Sequence, residues 1–257
     1  MKSTTDYIKG KTHEQLEARQ RELDAYCKTQ LEHTGPGESP WDRDTEEELR
    51  QLRRYFEATT FAAPLDAIGL KHGTDKASSF HNYLATYETY FAPRRDRRFC
   101  LCEIGVAGGA SLRTWLEYFP NVEVVGLDHN PEACRGDFGE RGAALCKDAT
   151  DPKTWQELND LAYRFDIIID DGGHFSHQIT TAFILGWPLL NSGGLYCIED
   201  THAVYANEEG VNAKLWAWLE TKIHEMNELG RGQCGRPMVS DIAFVHLYKS
   251  LIVIGKR

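Results

Sequence analysis

No apolar stretch in this chain approaches the ~20 residues that span a bilayer, and the first residues lack the apolar core of a secretory signal peptide. The expectation is a soluble, cytoplasmic protein with no membrane partner. Positive charge is also scarce: 29 Lys and Arg stand against 39 Asp and Glu, a net charge of −10. Nucleic-acid binding leans on clustered Lys and Arg. The basic clusters here are short (Arg53-Arg54, and Arg94-Arg95 with Arg97-Arg98) and read as solvated loop, so no nucleic-acid partner is expected. The seven cysteines are odd in number and show neither CxxC nor Cys/His zinc spacing, which fits a reducing compartment. Cys100, Cys102 and Cys197 fall inside predicted strands and read as small core residues.

What is present divides the 257 residues into a helical appendage over 1–60 and an α/β domain over 61–257. Thr12-His13-Glu14-Gln15 has the form of a capping box, followed by a thin apolar stripe of Leu16, Leu23 and Cys27. Asp44 can cap a second helix carrying Leu49, Leu52 and Phe56. Such weakly apolar helices seldom fold alone, which suits a lid or an oligomer contact. A polar loop, Lys71-His72-Gly73-Thr74-Asp75-Lys76, precedes a predicted helix with Phe80, Tyr83 or Leu84, Tyr87 and Phe91.

From residue 99 strands and helices alternate, the signature of a βαβ sheet. Phe99–Ile104, Val122–Leu127 and Ala143–Cys146 read as strands, the last two ending at Asp128 and Asp148. Helices are predicted over Ser111–Tyr118 and after Asp151-Pro152, an N-cap followed by proline at N1. Two short apolar runs then end in acids: Ile167-Ile168-Ile169 before Asp170-Asp171-Gly172-Gly173-His174, and Leu195-Tyr196-Cys197-Ile198 before Glu199-Asp200. A helix and the turn Asn191-Ser192-Gly193-Gly194 separate them. A long amphipathic helix, a Gly-rich loop from Gly230 to Pro237 and an antiparallel hairpin (242–248 and 251–255) close the sheet.

In an open α/β sheet the carboxyl ends of neighbouring strands share one crevice, where ligands bind. Carboxylates gathered there repel each other unless a cation or proton sits among them. The two acidic ends and His174 therefore suggest a hard-metal site with a general base attached. Taken singly each has an ordinary explanation: a cap for Asp170 and Asp171, a loop histidine for His174, a solvated strand end for Glu199-Asp200. Asp170 suits a cap or a cofactor contact as well as a metal. On the other side, Gly105, Val106, Ala107, Gly108 and Gly109 form a strand-to-helix turn of small residues that lets backbone approach a ligand closely. Asp128 stands where a carboxylate reaches ribose hydroxyls, and Asp148 where one can meet an adenine amino group. A dinucleotide fingerprint would be G-x-G-x-x-G; here the pattern is Gly105-x-Ala107-x-x-Ala110, with Glu103 just before it. An anion there repels a pyrophosphate but suits the ammonium of a methionine moiety, which favours S-adenosylmethionine over NAD.

Glu103-x-Gly105-x-Ala107-Gly108-Gly109 with Asp128 resembles a class I S-adenosylmethionine-dependent methyltransferase. Four segments together resemble the metal-dependent O-methyltransferases that act on macrolide sugars, of the mycinamicin and macrocin type. They are the Lys71–Lys76 loop, the helix with His81, Tyr83, Tyr87 and Glu88, Asp170–His174, and Ile198-Glu199-Asp200. The match covers residues 66–203. The resemblance implies a Rossmann-like methyltransferase sheet, mostly parallel with an antiparallel C-terminal hairpin. It makes Asp171, Glu199 and Asp200 the ligands of Mg²⁺ or another divalent cation, and His174 the general base. Asp170 and Ser111 join the cofactor contacts, and Thr74, Asp75 and Lys76 either close over the methionine end or form a plain polar loop. His72, Tyr83, His177, His202 and Tyr205 line an acceptor pocket, although helical spacing suits core packing equally for the aromatic set. The family commonly has serine where Gly173 stands. The acceptor implied is a hydroxyl of a sugar or glycosylated natural product. A catechol-type O-methyltransferase, a nicotinamide oxidoreductase and a non-catalytic nucleoside-binding subunit remain the alternatives.

Overall fold

A computed structural model describes residues 11–31, 44–52, 64–207, 213–228 and 241–257. It divides the chain into two compact units, Met1–Arg95 and Asp96–Arg257. No helix among the described residues is long and apolar enough to cross a membrane.

In the first unit, α1 (His13–Leu31) opens with the expected capping box: Gln15 N–H donates to Thr12 Oγ1 at 3.3 Å and Thr12 N–H donates to Gln15 Oε1 at 2.9 Å. Leu16 and Leu23 are buried, as are Leu49 and Leu52 of α2 (44–52). Phe56 and the Cys27 side chain lie outside the described residues. The tie between α1 and α2 is polar: Arg19 grips the nearly buried Glu48 with both carboxylate oxygens engaged, at 2.8 and 2.9 Å. The Arg19 hydrogen bonds outweigh burial and hold the Glu48 carboxyl below its ordinary range. A depressed folded-state pKa adds stability above the unfolded-state value and loses it as pH falls through the folded one. Glu48→Gln is therefore expected to cost about 1–3 kcal/mol at pH 7 and to flatten the acid side of the stability curve, as read by thermal melts from pH 3 to 7. Equal slopes for the two proteins would remove the pair from the account.

α3 (Pro64–His72) and α4 (Tyr83–Phe91) pack closely because Gly69 leaves room for Leu84; a Cβ there would sit 2.1 Å from Leu84 Cδ1. Glu88 accepts the Leu65 N–H at the start of α3. Buried Asp66 accepts both the N–H and the hydroxyl of Ser78, at 2.7 and 2.6 Å, and so folds the polar loop against α3. Tyr87 and Phe91 are core, as helical spacing allows. Phe80 departs from the expectation: it precedes α4 and is 59% exposed, because the chain makes tight turns from Thr74 to Asn82 before the helix starts.

The second unit is a seven-stranded sheet of order β3-β2-β1-β4-β5-β7-β6. β1 (Phe99–Ile104), β2 (Val122–Asp128), β3 (Gly142–Cys146), β4 (Phe165–Asp170) and β5 (Leu190–Ile198) run parallel. The central β1, β4 and β5 are buried on both faces, which is why they read as unbroken apolar runs. β6 (Ile242–Tyr248) and β7 (Leu251–Lys256) form the antiparallel hairpin, with Ser250 supplying the left-handed residue (φ 61°). Between the strands lie α5 (Ala110–Tyr118), α6 (Pro152–Asp160) and α7 (Ser176–Gly186), then α8 (Ala203–Asn207) and α9 (Lys214–Glu228). Asp151 caps α6 by accepting the Lys153 N–H at 2.9 Å. Trp187 packs against the core and donates to Asp241. The Asn191–Gly194 turn is a correction: these residues lie within β5, as an irregularity between the pairs Phe165–Leu190 and Ile167–Leu195. Gly193 takes the positive φ (75°) that this detour needs. The Gly230–Pro237 loop lies outside the described residues.

Candidate active site

Strand register places the chemistry. Ile104 pairs with Leu127 and with Asp170, and Asp170 pairs with Ile198. The residues one step on are consequently level: Gly105 N–H bonds Leu127 O at 2.8 Å, Asp171 N–H bonds Ile104 O at 2.9 Å, and Glu199 N–H bonds Asp170 O at 2.9 Å. The glycine turn and both acidic ends therefore share one edge of the sheet.

At the acidic ends, Asp171, His174 and Asp200 form a cluster whose ligand atoms all lie within 4.8 Å of one another. His174 Nε2 is 4.0 Å from Asp171 Oδ1 and 3.8 Å from Asp200 Oδ2. His174 (φ 50°) and Asp200 (φ 51°) are both left-handed, a conformation that non-glycine residues hold only where their surroundings fix it. Those surroundings are visible. Asn207 donates to the His174 carbonyl at 3.1 Å, Ser176 Oγ accepts the Leu215 N–H, and Thr201 N–H reaches the hairpin carbonyl of Ser250. His202 Nδ1 lies 3.9 Å from Asp200 Oδ1. Glu199, next to Asp200, is 1% exposed and stands outside the three-residue cluster. Asp170 is buried as well, and burial pushes its carboxyl up to about 7 against the bonds it accepts from the Tyr196 hydroxyl (3.2 Å) and Gly172 N–H (3.4 Å). A Cβ on Gly173 would fall 2.0 Å from Gln178 Oε1, so the Gln178 amide fills the space that a serine there would claim.

The glycine turn has a structural reason. Gly105 (φ 89°) lies under the acid loop, where a Cβ would be 2.1 Å from the Asp171 carbonyl oxygen. Gly109 (φ 74°) precedes α5 against the Phe138 ring, whereas Gly108 has no atom within 4 Å of its Cβ position. Asp128 Oδ2 accepts the Val106 and Ala107 N–H groups (2.8 and 3.1 Å), and Oδ1 that of Asn130 (2.8 Å). Burial alone would raise its pKa, but these three bonds lower it. A carboxylate offers about four lone-pair sites, so three N–H bonds leave capacity for a further donor. Asp148 is exposed and accepts the Thr150 N–H and hydroxyl. Glu103 has no exposed surface and accepts the Trp115 indole N–H at 2.9 Å.

The remaining expected residues are more scattered. Ser111 and Val106 are buried within or beside the turn. His177 is exposed on α7 with its ring 5.8 Å from Phe175, and exposed Tyr205 stacks 5.8 Å from Trp216. Thr74, Lys76, His72 and Tyr83 belong to the first unit; all but His72 are buried there, Tyr83 stacking on His81 at 4.9 Å. Sequence reading missed Tyr196, Trp115 and Asn207. A buried Tyr or Trp usually needs a hydrogen-bond partner, and that was the available signal for the first two. Asn207 carried none.

A parallel five-stranded core with strand order 3-2-1-4-5, closed by an antiparallel 7-6 hairpin and bearing a glycine turn after β1, is the class I methyltransferase fold. No protein-family model matches the chain. It is similar to the 8-demethyl-8-alpha-L-rhamnosyl tetracenomycin-C 2'-O-methyltransferase of Streptomyces olivaceus, 33% identical over 209 residues, 75% of this chain and 54% of that protein. The L-olivosyl-oleandolide 3-O-methyltransferase of Streptomyces antibioticus is 33% identical over 154 residues, 57% of this chain and 39% of that protein. The chain thus spans about half the length of the curated relatives it matches. Among solved structures, the MycE methyltransferase from the mycinamycin pathway, in complex with Mg and SAH, superposes with a TM-score of 0.67 at 23% identity. That match covers 87% of this chain and 66% of MycE, and it supports the fold.

Proposed function

We propose that this chain transfers a methyl group from S-adenosylmethionine to a hydroxyl of a sugar borne by a natural product, in antibiotic-type biosynthesis, with Mg²⁺ or another divalent cation. The observation that carries the reading is the Asp171–His174–Asp200 cluster, set by strand register beside the glycine turn. Hard cations take carboxylate oxygens, and Asp171 and Asp200 offer one each within 4.8 Å of the other. Glu199, the third carboxylate that the resemblance implies, is buried next to Asp200 and outside this cluster. A divalent cation bound there lowers the pKa of a coordinated hydroxyl and fixes its direction. His174, whose Nε2 lies 4.0 and 3.8 Å from the two acids, takes the hydroxyl proton as general base.

On the cofactor side, Gly105–Gly109 and Ser111 hold the methionine portion, with Glu103 supplying negative potential beneath the turn. Asp128 receives the ribose hydroxyls, Asp148 the adenine amino group, and Asp170 closes the floor. By the resemblance alone, Thr74 and Lys76 are assigned to the methionine end, and His72, Tyr83, His177, His202 and Tyr205 to the acceptor. In this reading residues 61–257 are the methyltransferase domain, and 1–60 a lid or oligomer contact. In this reading the enzyme acts in the cytoplasm on small acceptors, and its negative charge disfavours a nucleic-acid partner.

The test is methyl transfer to glycosylated macrolides and tetracenomycin-type acceptors, followed by mass spectrometry with Mg²⁺ or EDTA. One added methyl on the sugar, abolished by EDTA, is the expected result. Transfer only to aromatic diols would favour the catechol-type alternative, and no transfer to any acceptor would contradict the reading. The proximity of His174 Nε2 to both acids also favours a second role, metal ligation. His174→Ala separates the two. As a base, its loss lowers kcat by about 10²–10⁴-fold and leaves metal affinity unchanged; as a ligand, its loss weakens metal binding measured by Mn²⁺ titration.

A further inference from the structure

The carboxyl end of β2 is flanked by two cysteines that the methyl-transfer reading does not use. Cys146 ends β3 in register with Asp128, and its exposed thiol lies 3.8 Å from the His129 carbonyl oxygen. Cys134, in a short turn over Ala133–Arg135, places its sulfur 3.5 Å from the Asp128 carbonyl and 3.4 Å from that of Asn130. The two sulfurs thus rest on three consecutive carbonyls. The bonds Asn130 N–H to Asp128 Oδ1 and Ala133 N–H to Asn130 O fold residue 134 back over the strand end. Both thiols are free.

We propose that Cys134 and Cys146 are a redox modification site: a reversible disulfide, formed with a peroxide, that pins the 129–135 loop to the end of β3. The proposal is independent of the methyl-transfer reading. The accessible Cys146 thiolate attacks one peroxide oxygen; the O–O bond breaks, leaving a sulfenic acid on Cys146 and, after proton uptake, one water. The Cys134 sulfur then attacks the sulfenic sulfur, the S–O bond breaks, the S–S bond forms and a second water leaves. Two thiols are oxidised and one peroxide is reduced. The division of labour follows from exposure: burial, and then the nearby Cys146, raises the Cys134 pKa, which suits the resolving rather than the attacking thiol. Cys102 and Cys197 are buried, and burial pushes the Cys100 thiol up to about 12, so these three are poor competitors.

The test treats the full chain, carrying Cys27→Ser and Cys234→Ser, with one equivalent of hydrogen peroxide. Trypsin cuts after Arg135, Arg141 and Lys147, so the two cysteines fall on separate peptides. The expected result is a linked peptide pair, loss of two alkylatable thiols, reversal by dithiothreitol, and several-fold slower amide exchange over 129–135. Cys134→Ser and Cys146→Ser should each abolish the linked pair. Recovery of both cysteines as alkylated thiols after peroxide, or linkage of either one to another cysteine, would overturn the proposal.

Discussion

Asp200→Asn is expected to lower turnover by about 10³-fold or more while leaving the melting temperature within a few degrees of the parent. The substitution is nearly isosteric, and asparagine tolerates the left-handed backbone (φ 51°) that Asp200 adopts. What it removes is charge. A bound cation supplies several kcal/mol of charge stabilisation at a reacting oxygen, and each 1.36 kcal/mol is tenfold in rate. Asp171→Asn, on the other side of His174, should behave alike, and the two together should lose little more than either alone, because they serve one ion. Rates measured across a Mg²⁺ titration, beside thermal melts, check this. Wild-type turnover in either variant would remove the cation from the strand ends.

The second large effect separates two reasons for glycine in one turn. Gly105→Ala forces a Cβ to 2.1 Å from the backbone oxygen of Asp171 at a φ of 89°. Left-handed strain of roughly 1–2 kcal/mol and overpacking of about 1–3 kcal/mol point to a loss of about 3 kcal/mol or more in urea denaturation. Because the obstructed atom belongs to the acid loop, Asp171 must move too, and metal binding should fall with stability. Gly108→Ala meets no atom within 4 Å, so its stability should stay within about 0.5 kcal/mol of the parent. A selective loss of S-adenosylhomocysteine affinity in Gly108→Ala would then mark the point where a ligand, not the protein, approaches the backbone. Equal destabilisation by both substitutions would contradict this assignment.

These two glycines also show where sequence reading stopped. Alternating apolar runs and helix caps defined the strands from Phe99 to Ile198 closely, because strands buried on both faces admit little but apolar residues. Parallel pairing makes the acidic ends neighbours, so the meeting of Asp171 and Asp200 with His174 follows from the sequence, whereas the expected third ligand, Glu199, stands outside the cluster. The reason for Gly105 was not, since it depends on how closely the Asp171 loop crosses the turn. The position of Glu103 before the glycine turn suits a partner for an ammonium group, yet its exposure is 0% and its oxygen meets Trp115; a sequence shows an acid's position in a strand but not what covers it. Likewise Asn191–Gly194 has the composition of a turn, and only pairing with β4 places it inside β5.

The most direct test of the account is calorimetric titration of the protein with S-adenosylhomocysteine and, separately, NAD, each with Mg²⁺ or EDTA. Binding of S-adenosylhomocysteine but not NAD, weakened by Asp128→Ala, is the predicted result. Binding of NAD alone, or of neither, would contradict the methyltransferase reading.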